Sequence, residues 1–162
     1  MLSQQDLAIQ LIPLMRQKGK CYAKFKSILA TKAIGGEVIE TVTSDGVETR
    51  NQANAGDYIV QNSTEARERY IVSSKKFESR YQFETSLGDG IARYKPTGKV
   101  IAVEVDDRLL KHLAQGETFH IMAPWKDKMV VKKNDFLVTS LDFREVYRIA
   151  RKEFFETYRV EE

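Results

Sequence analysis

Three short blocks of sequence occur twice in this chain, in the same order, and they constrain its fold more than any other feature. The residues between the identities change conservatively at the strand positions, as expected when one supersecondary unit has been duplicated. The paired blocks are Ala23–Lys26 with Ala92–Lys95, Gly56–Val60 with Asn134–Val138, and Arg67–Tyr70 with Arg144–Tyr147.

Each copy ends in a segment that is predicted to form a short helix with two aromatic residues four positions apart. These residues are Phe77 and Tyr81 in the first copy and Phe154 and Tyr158 in the second. Side chains four apart lie on one face of a helix, and an aromatic face needs an apolar surface to pack against. We therefore interpret most of the shared residues as core.

The second copy is longer between its first two blocks. A helix is predicted there from 106 to about 114, and Asp106 or Asp107 supplies its N-cap. Insertions between strands are tolerated when they add an element at the surface. A further helix is predicted over residues 3–18, capped by Ser3 and either kinked or divided into two segments by Pro13.

Turn residues mark several strand connections. The Asp45-Gly46 step predicts a hairpin, and the Pro96–Gly98 segment predicts another between 91–95 and 100–105. The glycine-containing segment 82–90 is predicted to join the two copies.

These patterns predict an α+β fold made of two related β-rich units from an internal duplication. Each unit would be a small barrel or a curled antiparallel sheet with a short helix. The predicted boundaries are an N-terminal helix over 1–20, a first unit over 21–84, and a second unit with the inserted helix over 85–162.

The composition is that of a globular protein and excludes few partners. The 26 Lys and Arg residues nearly balance the 23 Asp and Glu residues, for a formal charge of +3. Such a charge allows a nucleic-acid partner without requiring one.

The single cysteine, Cys21, excludes an intrachain disulfide and favours a reducing compartment. Residues 1–20 lack the pattern of a signal peptide or membrane span, so we expect a cytoplasmic protein without a membrane partner.

The Gly56-Asp57-Tyr58 step, with the Glu-x-Tyr strand and Phe…Tyr helix that follow it, resembles a family named after the motif Pro-Gly-Asp-Tyr-Gly (PGDYG). These are small proteins of unknown function that are common in phages and bacteria. Here Ala55 and Ile59 replace the first and last motif residues, and the second copy begins with Asn134. The resemblance implies a fold and no mechanism.

No set of residues indicates a metal site, a cofactor or a nucleophile. His112 and His120 have no partner ligand at helical spacing, and Cys21 is far from both in sequence. The carboxylates of Glu104, Asp106 and Asp107 lie close together in sequence and could serve a hydrolase or transferase. An ordinary helix N-cap is the favoured interpretation of the two Asp residues.

Five residues are the candidate ligand-binding set. Trp125, the only tryptophan, lies in a predicted loop just ahead of lysines, where it can either stack on a ligand or close the core edge. The repeated Arg-Glu-x-Tyr pattern adds Arg67, Tyr70, Arg144 and Tyr147.

The leading hypothesis is a non-enzymatic binding module for a small nucleotide-like anion or a protein partner, at the cleft between the two copies. The alternatives are nucleic-acid binding through lysine-rich segments and a carboxylate-dependent hydrolase or transferase. The basic residues concerned are Arg16, Lys18, Lys20, Lys24 and Lys26 early in the chain, and Lys126, Lys128, Lys132 and Lys133 later.

Overall fold

The computed structural model describes residues 1–161, and its fold is mixed α+β, with most strands in two open five-stranded sheets. The helices are α1 (Gln4–Gln10), α2 (Ile12–Lys18), α3 (Ser74–Arg80), α4 (Asp107–His112) and α5 (Arg151–Thr157). The strands are β1 (Lys20–Lys24), β2 (Ile28–Lys32), β3 (Val38–Thr43), β4 (Gly46–Gln52), β5 (Tyr58–Asn62), β6 (Arg69–Val72), β7 (Tyr81–Gly88), β8 (Ile91–Pro96), β9 (Lys99–Glu104), β10 (Thr118–Met122), β11 (Lys128–Lys132), β12 (Phe136–Thr139), β13 (Val146–Ile149) and β14 (Tyr158–Val160).

The chain divides into two compact units, each discontinuous in sequence. The central unit comprises Ala23–Gly98 and Phe155–Arg159, and the terminal unit comprises Met1–Tyr22, Lys99–Phe154 and the residues from Val160 onward. This division differs from the predicted boundaries after residues 20 and 84. The N-terminal helices belong to the terminal unit, and most of the predicted joint at 82–90 is strand β7.

Local capping forms the N-terminal helices as predicted. The Ser3 hydroxyl accepts from the Asp6 amide at 3.0 Å, and the Asp6 carboxylate accepts from the Ser3 amide at 2.8 Å. This reciprocal pair satisfies two amide donors that a helix N-terminus leaves unpaired. Pro13 lies in the first turn of α2, where a missing amide donor costs nothing, so the predicted division into two short helices is confirmed.

The sheet of the central unit has the strand order β6-β5-β2-β8-β7. Helix α3 packs on one face because Phe77 is buried against three aromatic side chains from the strands and the helix end. Its ring stacks on Tyr58 at a centroid distance of 3.9 Å, and the edge of Tyr94 meets it at 4.7 Å. A second cluster, in which Ile39 of the β3–β4 hairpin packs with Ile59 of β5, forms on the other side.

The sheet of the terminal unit has the order β13-β12-β9-β1-β14. Phe154 of α5 stacks on Phe136 at 4.0 Å, and the edge of Tyr22 meets Phe154 at 4.8 Å. The larger apolar cluster of this unit gathers side chains from α1, α2, α4, the β10–β11 hairpin and the sheet. Its fully buried members include Leu7, Leu11, Met15, Val105, Ile121, Met129 and Leu137.

The predicted hairpin across Pro96–Gly98 is wrong, because β8 and β9 belong to different sheets. Strand β8 pairs with β2 and β7, and this register places Tyr94 opposite Ile28. This pairing brings Tyr94 into the aromatic core beside Phe77. A hairpin formed only by β8 and β9 would not fix Tyr94 in that position. Strand β9 instead lies between β12 and β1.

Equivalent turns precede β5 and β12. The Asp57 carboxylate accepts from the amide of Asn54 at 2.9 Å, and the Asp135 carboxylate accepts from the amide of Lys132 at 2.8 Å. The residue before each Asp has a left-handed backbone, with φ of 88° at Gly56 and 78° at Asn134. Both Asp side chains therefore fix the turn before their strand.

Two details of the predicted repeat are different in the structure. Phe25, which the repeat pairs with Tyr94, is partly exposed and contacts the guanidinium of Arg159, while Tyr22 provides the edge contact in the terminal unit. Tyr81 and Tyr158 begin strands β7 and β14 and are not helical residues. Tyr81 still packs on Phe77, with ring centroids 4.8 Å apart.

Candidate functional site

The turn of the β10–β11 hairpin holds Trp125 at the surface of the terminal unit. The Ala123 amide donates to the Asp127 carbonyl at 2.8 Å, and the Lys126 amide donates to the Ala123 carbonyl at 2.9 Å. Lys126 has φ of 65°, a left-handed conformation that usually favours glycine. The turn therefore presents an aromatic ring and a lysine side by side, on a backbone fixed by hydrogen bonds at both ends.

Tyr147 of β13 lies next to this tryptophan. The two ring centroids are 6.0 Å apart with a tilt of 55° between the planes, and Trp125 remains 41% exposed. Lys126 and Lys128 on the same hairpin are also exposed. The structure thus brings two of the five predicted ligand-binding residues together, with positive charge beside them.

Arg144 lies in the loop before β13, and its side chain is 82% exposed. Its guanidinium forms an ion pair with the Asp142 carboxylate at 3.2 Å. The hydrogen bond from Ser140, followed by the amide and the charge of Arg144, lowers the pKa of Asp142. Arg144 is therefore a partnered surface cation three residues from Tyr147.

The other two predicted residues, Arg67 and Tyr70, belong to the central unit. Arg67 is exposed at the end of a tight turn with φ of 49°, and its amide donates to the Thr64 carbonyl at 3.2 Å. Tyr70 is half-buried on β6 and points its hydroxyl into a polar cluster that the sequence did not reveal.

This cluster, hereafter the Lys24 cluster, consists of Lys24, Asn62, Tyr70 and Tyr81. The Lys24 ammonium donates to the Tyr81 hydroxyl at 2.5 Å, to the Tyr70 hydroxyl at 2.8 Å and to the Asn62 side-chain oxygen at 3.4 Å. Tyr70 donates to the same Asn62 oxygen at 2.9 Å, and the two phenol oxygens are 3.3 Å apart.

The electrostatics of the Lys24 cluster act most strongly on Tyr81. Burial raises the pKa of this phenol, but the charge and hydrogen bond of Lys24, with smaller contributions from Tyr70 and Arg80, outweigh burial and lower the pKa overall. The four residues come from four different strands, and Lys24 is 38 to 57 positions away from the other three along the chain. The sequence indicated the basic character of Lys24 and the repeated aromatic residues Tyr70 and Tyr81, but not that they would meet.

The predicted lysine-rich segments are partly neutralised. Lys133 forms an ion pair with Asp107 at 2.9 Å and lies 4.0 Å from Glu117. Arg16 packs its guanidinium over the Phe143 ring at 4.1 Å. Lys126 and Lys128, on the same hairpin as Trp125, remain exposed cations.

Each of the three clustered carboxylates has a structural role. Asp106 caps α4 by accepting from the Leu109 amide at 2.9 Å, which confirms the N-cap interpretation. Asp107 pairs with Lys133, and Glu104 pairs with Arg151 at the end of β9.

The histidines and the cysteine lie in separate surroundings. His112 donates to the Gln10 carbonyl at 2.7 Å, and the Cys21 thiol donates to the Glu161 carboxylate at 3.3 Å. Across residues 1–161, no three His, Cys, Asp or Glu side chains are grouped as metal binding requires. Within the same residues, no helix has the length and apolar character needed to cross a membrane.

Comparison of the chain with protein-family models, with curated proteins and with solved structures found no match. The fold class that the structure defines is α+β.

Proposed function

We propose that this protein is a non-enzymatic binding module that binds a small nucleotide-like anion on Trp125 and Tyr147 of the terminal unit. The observation that carries the proposal is an exposed tryptophan, backed by a tyrosine, on a hairpin that also presents two lysines. An aromatic side chain offers a face to any nucleobase, and stacking of this kind contributes about 1–3 kcal/mol per base.

The rigid turn favours binding for an entropic reason. Trp125 is flanked by two backbone hydrogen bonds and rests beside Tyr147, so it loses little conformational freedom when a ring stacks on it. Lys126 and Lys128 extend from the same hairpin and can meet a phosphate carried by the stacked ligand. Arg144 contributes only if it exchanges its ion pair with Asp142 for the ligand.

The alternatives proposed from sequence are less well supported. A long nucleic acid would need several uncompensated cations, and Lys133 is already paired with Asp107. A carboxylate-dependent hydrolase or transferase would need free acid groups, and Asp106 serves as a helix cap.

Trp125 is the only tryptophan, so its fluorescence reports on the proposed site without interference. The protein is titrated with adenosine monophosphate, ribose 5-phosphate and adenosine at constant ionic strength. We expect saturable quenching by the complete nucleotide and weaker binding of each fragment. Tyr147→Leu and a Lys126→Met, Lys128→Met double variant should weaken binding.

The control is Lys95→Met, which removes one positive charge from an exposed position on β8 in the central unit. It should bind like the original protein. Absence of saturable quenching by any nucleotide would refute the proposal. A short single-stranded oligonucleotide that binds with a steep salt dependence would favour the nucleic-acid alternative instead.

We also infer that the two units derive from duplication of a single unit and that the PGDYG-type resemblance applies to both copies. Supporting this inference, the strand orders β13-β12-β9-β1-β14 and β6-β5-β2-β8-β7 correspond, although β1, from the start of the chain, takes the place that β8 has in the central sheet. The stacked pairs Tyr58–Phe77 and Phe136–Phe154 occupy equivalent places, as do the Asp57 and Asp135 turns. A related chain with one copy, or with both copies more alike in sequence, would test this inference.

A further inference from the structure

The Lys24 ammonium is partly buried and forms hydrogen bonds only with uncharged side chains. Its three hydrogen bonds go to two phenol oxygens and one amide oxygen. Within residues 1–161, no carboxylate forms an ion pair with Lys24. A partly buried ammonium normally has a negative partner, because withdrawal from water is otherwise poorly compensated.

The cluster also contains donors that an anion could use. The oxygen of Asn62 accepts from both Lys24 and Tyr70, which leaves the amide NH2 of Asn62 available as a donor. A carboxylate is a stronger acceptor than the Asn62 oxygen to which Tyr70 donates, and the Tyr70 and Tyr81 hydroxyls can rotate toward it. Lys24, Asn62 and Tyr70 are half-buried, so an anion from solvent can reach them.

Tyr81 is the buried member of the cluster, and packing holds its ring in place beneath the other three side chains. Its side chain is 8% exposed and stacks on Phe77, with ring centroids 4.8 Å apart. The Lys24 ammonium lies 5.0 Å from the centre of the Tyr81 ring and 5.5 Å from that of Tyr70. The donors are therefore held around one point before any ligand arrives, which reduces the entropic cost of binding.

We propose that Lys24, Asn62, Tyr70 and Tyr81 form an anion site for a small singly charged carboxylate in the central unit. One cation lies among uncharged donors, so the charge of the site matches a monoanion better than a phosphate dianion. The carboxylate accepts from the Lys24 ammonium and from the Tyr70 hydroxyl, and Tyr81 supplies a further hydroxyl.

This site is separate from the one proposed on Trp125, since it uses other residues in the other compact unit. The experiment is a titration of the whole chain, followed by the backbone amide resonances, in which sodium acetate replaces sodium chloride at constant ionic strength. We expect saturable shifts centred on Asn62, Tyr70 and Tyr81. Inorganic phosphate at the same concentration should produce much weaker effects.

Lys24→Met should abolish the saturable shifts, and Tyr70→Phe should weaken binding several-fold while it keeps the ring that packs in the core. The spectrum of each variant without acetate shows whether it has folded, and Tyr70→Phe tests the site even if Lys24→Met does not fold. Lys95→Met, an equal loss of charge on β8, should bind acetate normally, and so should Trp125→Ala.

Three results would overturn the proposal: no saturable shift with acetate, equal shifts in Tyr70→Phe and the original protein, or tighter binding of phosphate than of acetate. None of these bears on nucleotide quenching of Trp125. The two proposals can therefore fail independently.

Discussion

Tyr58 stacks face to face on Phe77 in the central unit, with ring centroids 3.9 Å apart and planes 9° from parallel. Phe136 stacks on Phe154 in the terminal unit in nearly the same geometry, at 4.0 Å and 11°. In both units the pair joins the first residue of a strand to a helix, and an edge-on tyrosine contacts both rings. The stack is therefore the contact that attaches each helix to its sheet.

Replacement of Phe77 by Leu should lower the free energy of unfolding by about 1–2 kcal/mol, because it removes the stacking and leaves a smaller apolar side chain in the core. Phe154→Leu should have a similar effect in the terminal unit. Phe83→Leu is the matched control, since Phe83 is 64% exposed on β7 and should change stability by less than about 0.5 kcal/mol. Urea denaturation measures all three; equal losses for Phe77 and Phe83 would contradict the assigned role of the stack.

The elements that the sequence predicted are those with local signals. Ser3 and Asp6 cap α1, Pro13 divides the N-terminal helix, and the Asp45-Gly46 step turns the β3–β4 hairpin. Each depends on residues within a few positions of one another, so the pattern is readable along the chain.

Strand pairing and the Lys24 cluster could not be predicted in this way. Strand β8 pairs with β2 and not with β9, the next strand along the chain. This pairing brings the Tyr94 ring against Phe77. Lys24 contacts Tyr81, which is 57 positions further along the chain, and no local pattern encodes such a contact. The candidate residues were identified either by repetition, as at Tyr70 and Tyr147, or as a single conspicuous side chain, as at Trp125.

A buried ion pair fixes β13 to the turn before β12. The Arg148 guanidinium donates to the Asp135 carboxylate at 2.8 Å, and both side chains are almost completely buried. Arg148→Met should cost about 3–5 kcal/mol, because it leaves the Asp135 charge buried without its partner.

The double variant Arg148→Met, Asp135→Asn should lose less stability than the sum of the two single variants, since neither charge then remains unpaired. Arg151→Met, which breaks a half-exposed pair with Glu104, is the control and should cost less than about 1 kcal/mol. Additive losses in the double variant would show that Arg148 and Asp135 do not depend on each other.

The thiol of Cys21 should react slowly with alkylating reagents. Burial, the hydrogen bond to Glu161 and the charge of Glu161 raise its pKa, so the thiolate fraction near pH 8 is below that of a free cysteine. Glu161→Gln should accelerate modification by iodoacetamide, and Glu84→Gln in the central unit should not. Cys21 is the only cysteine, so the mass shift reports on this one site. An unchanged rate in Glu161→Gln would rule out control by that carboxylate.

The Lys24 cluster should make stability depend on pH in the alkaline range. Burial alone would raise the pKa of Tyr81, but Lys24 and its neighbours lower it below the ordinary value of 10.0. Between the folded pKa and 10.0, the unfolded chain holds a proton on Tyr81 that the folded chain has lost. The free energy of unfolding therefore gains a contribution as pH rises through this window, and the contribution is lost as pH falls through the folded pKa.

The measurement is urea denaturation at several pH values, with Tyr81→Phe subtracted from the original protein. The difference should grow toward pH 10, and tyrosinate absorbance should appear in the folded protein over the same range. Tyr94→Phe is the control, because burial raises the pKa of Tyr94 and no stabilisation should then develop below pH 10. A flat difference for Tyr81→Phe across this range would show that Lys24 does not stabilise the Tyr81 phenolate.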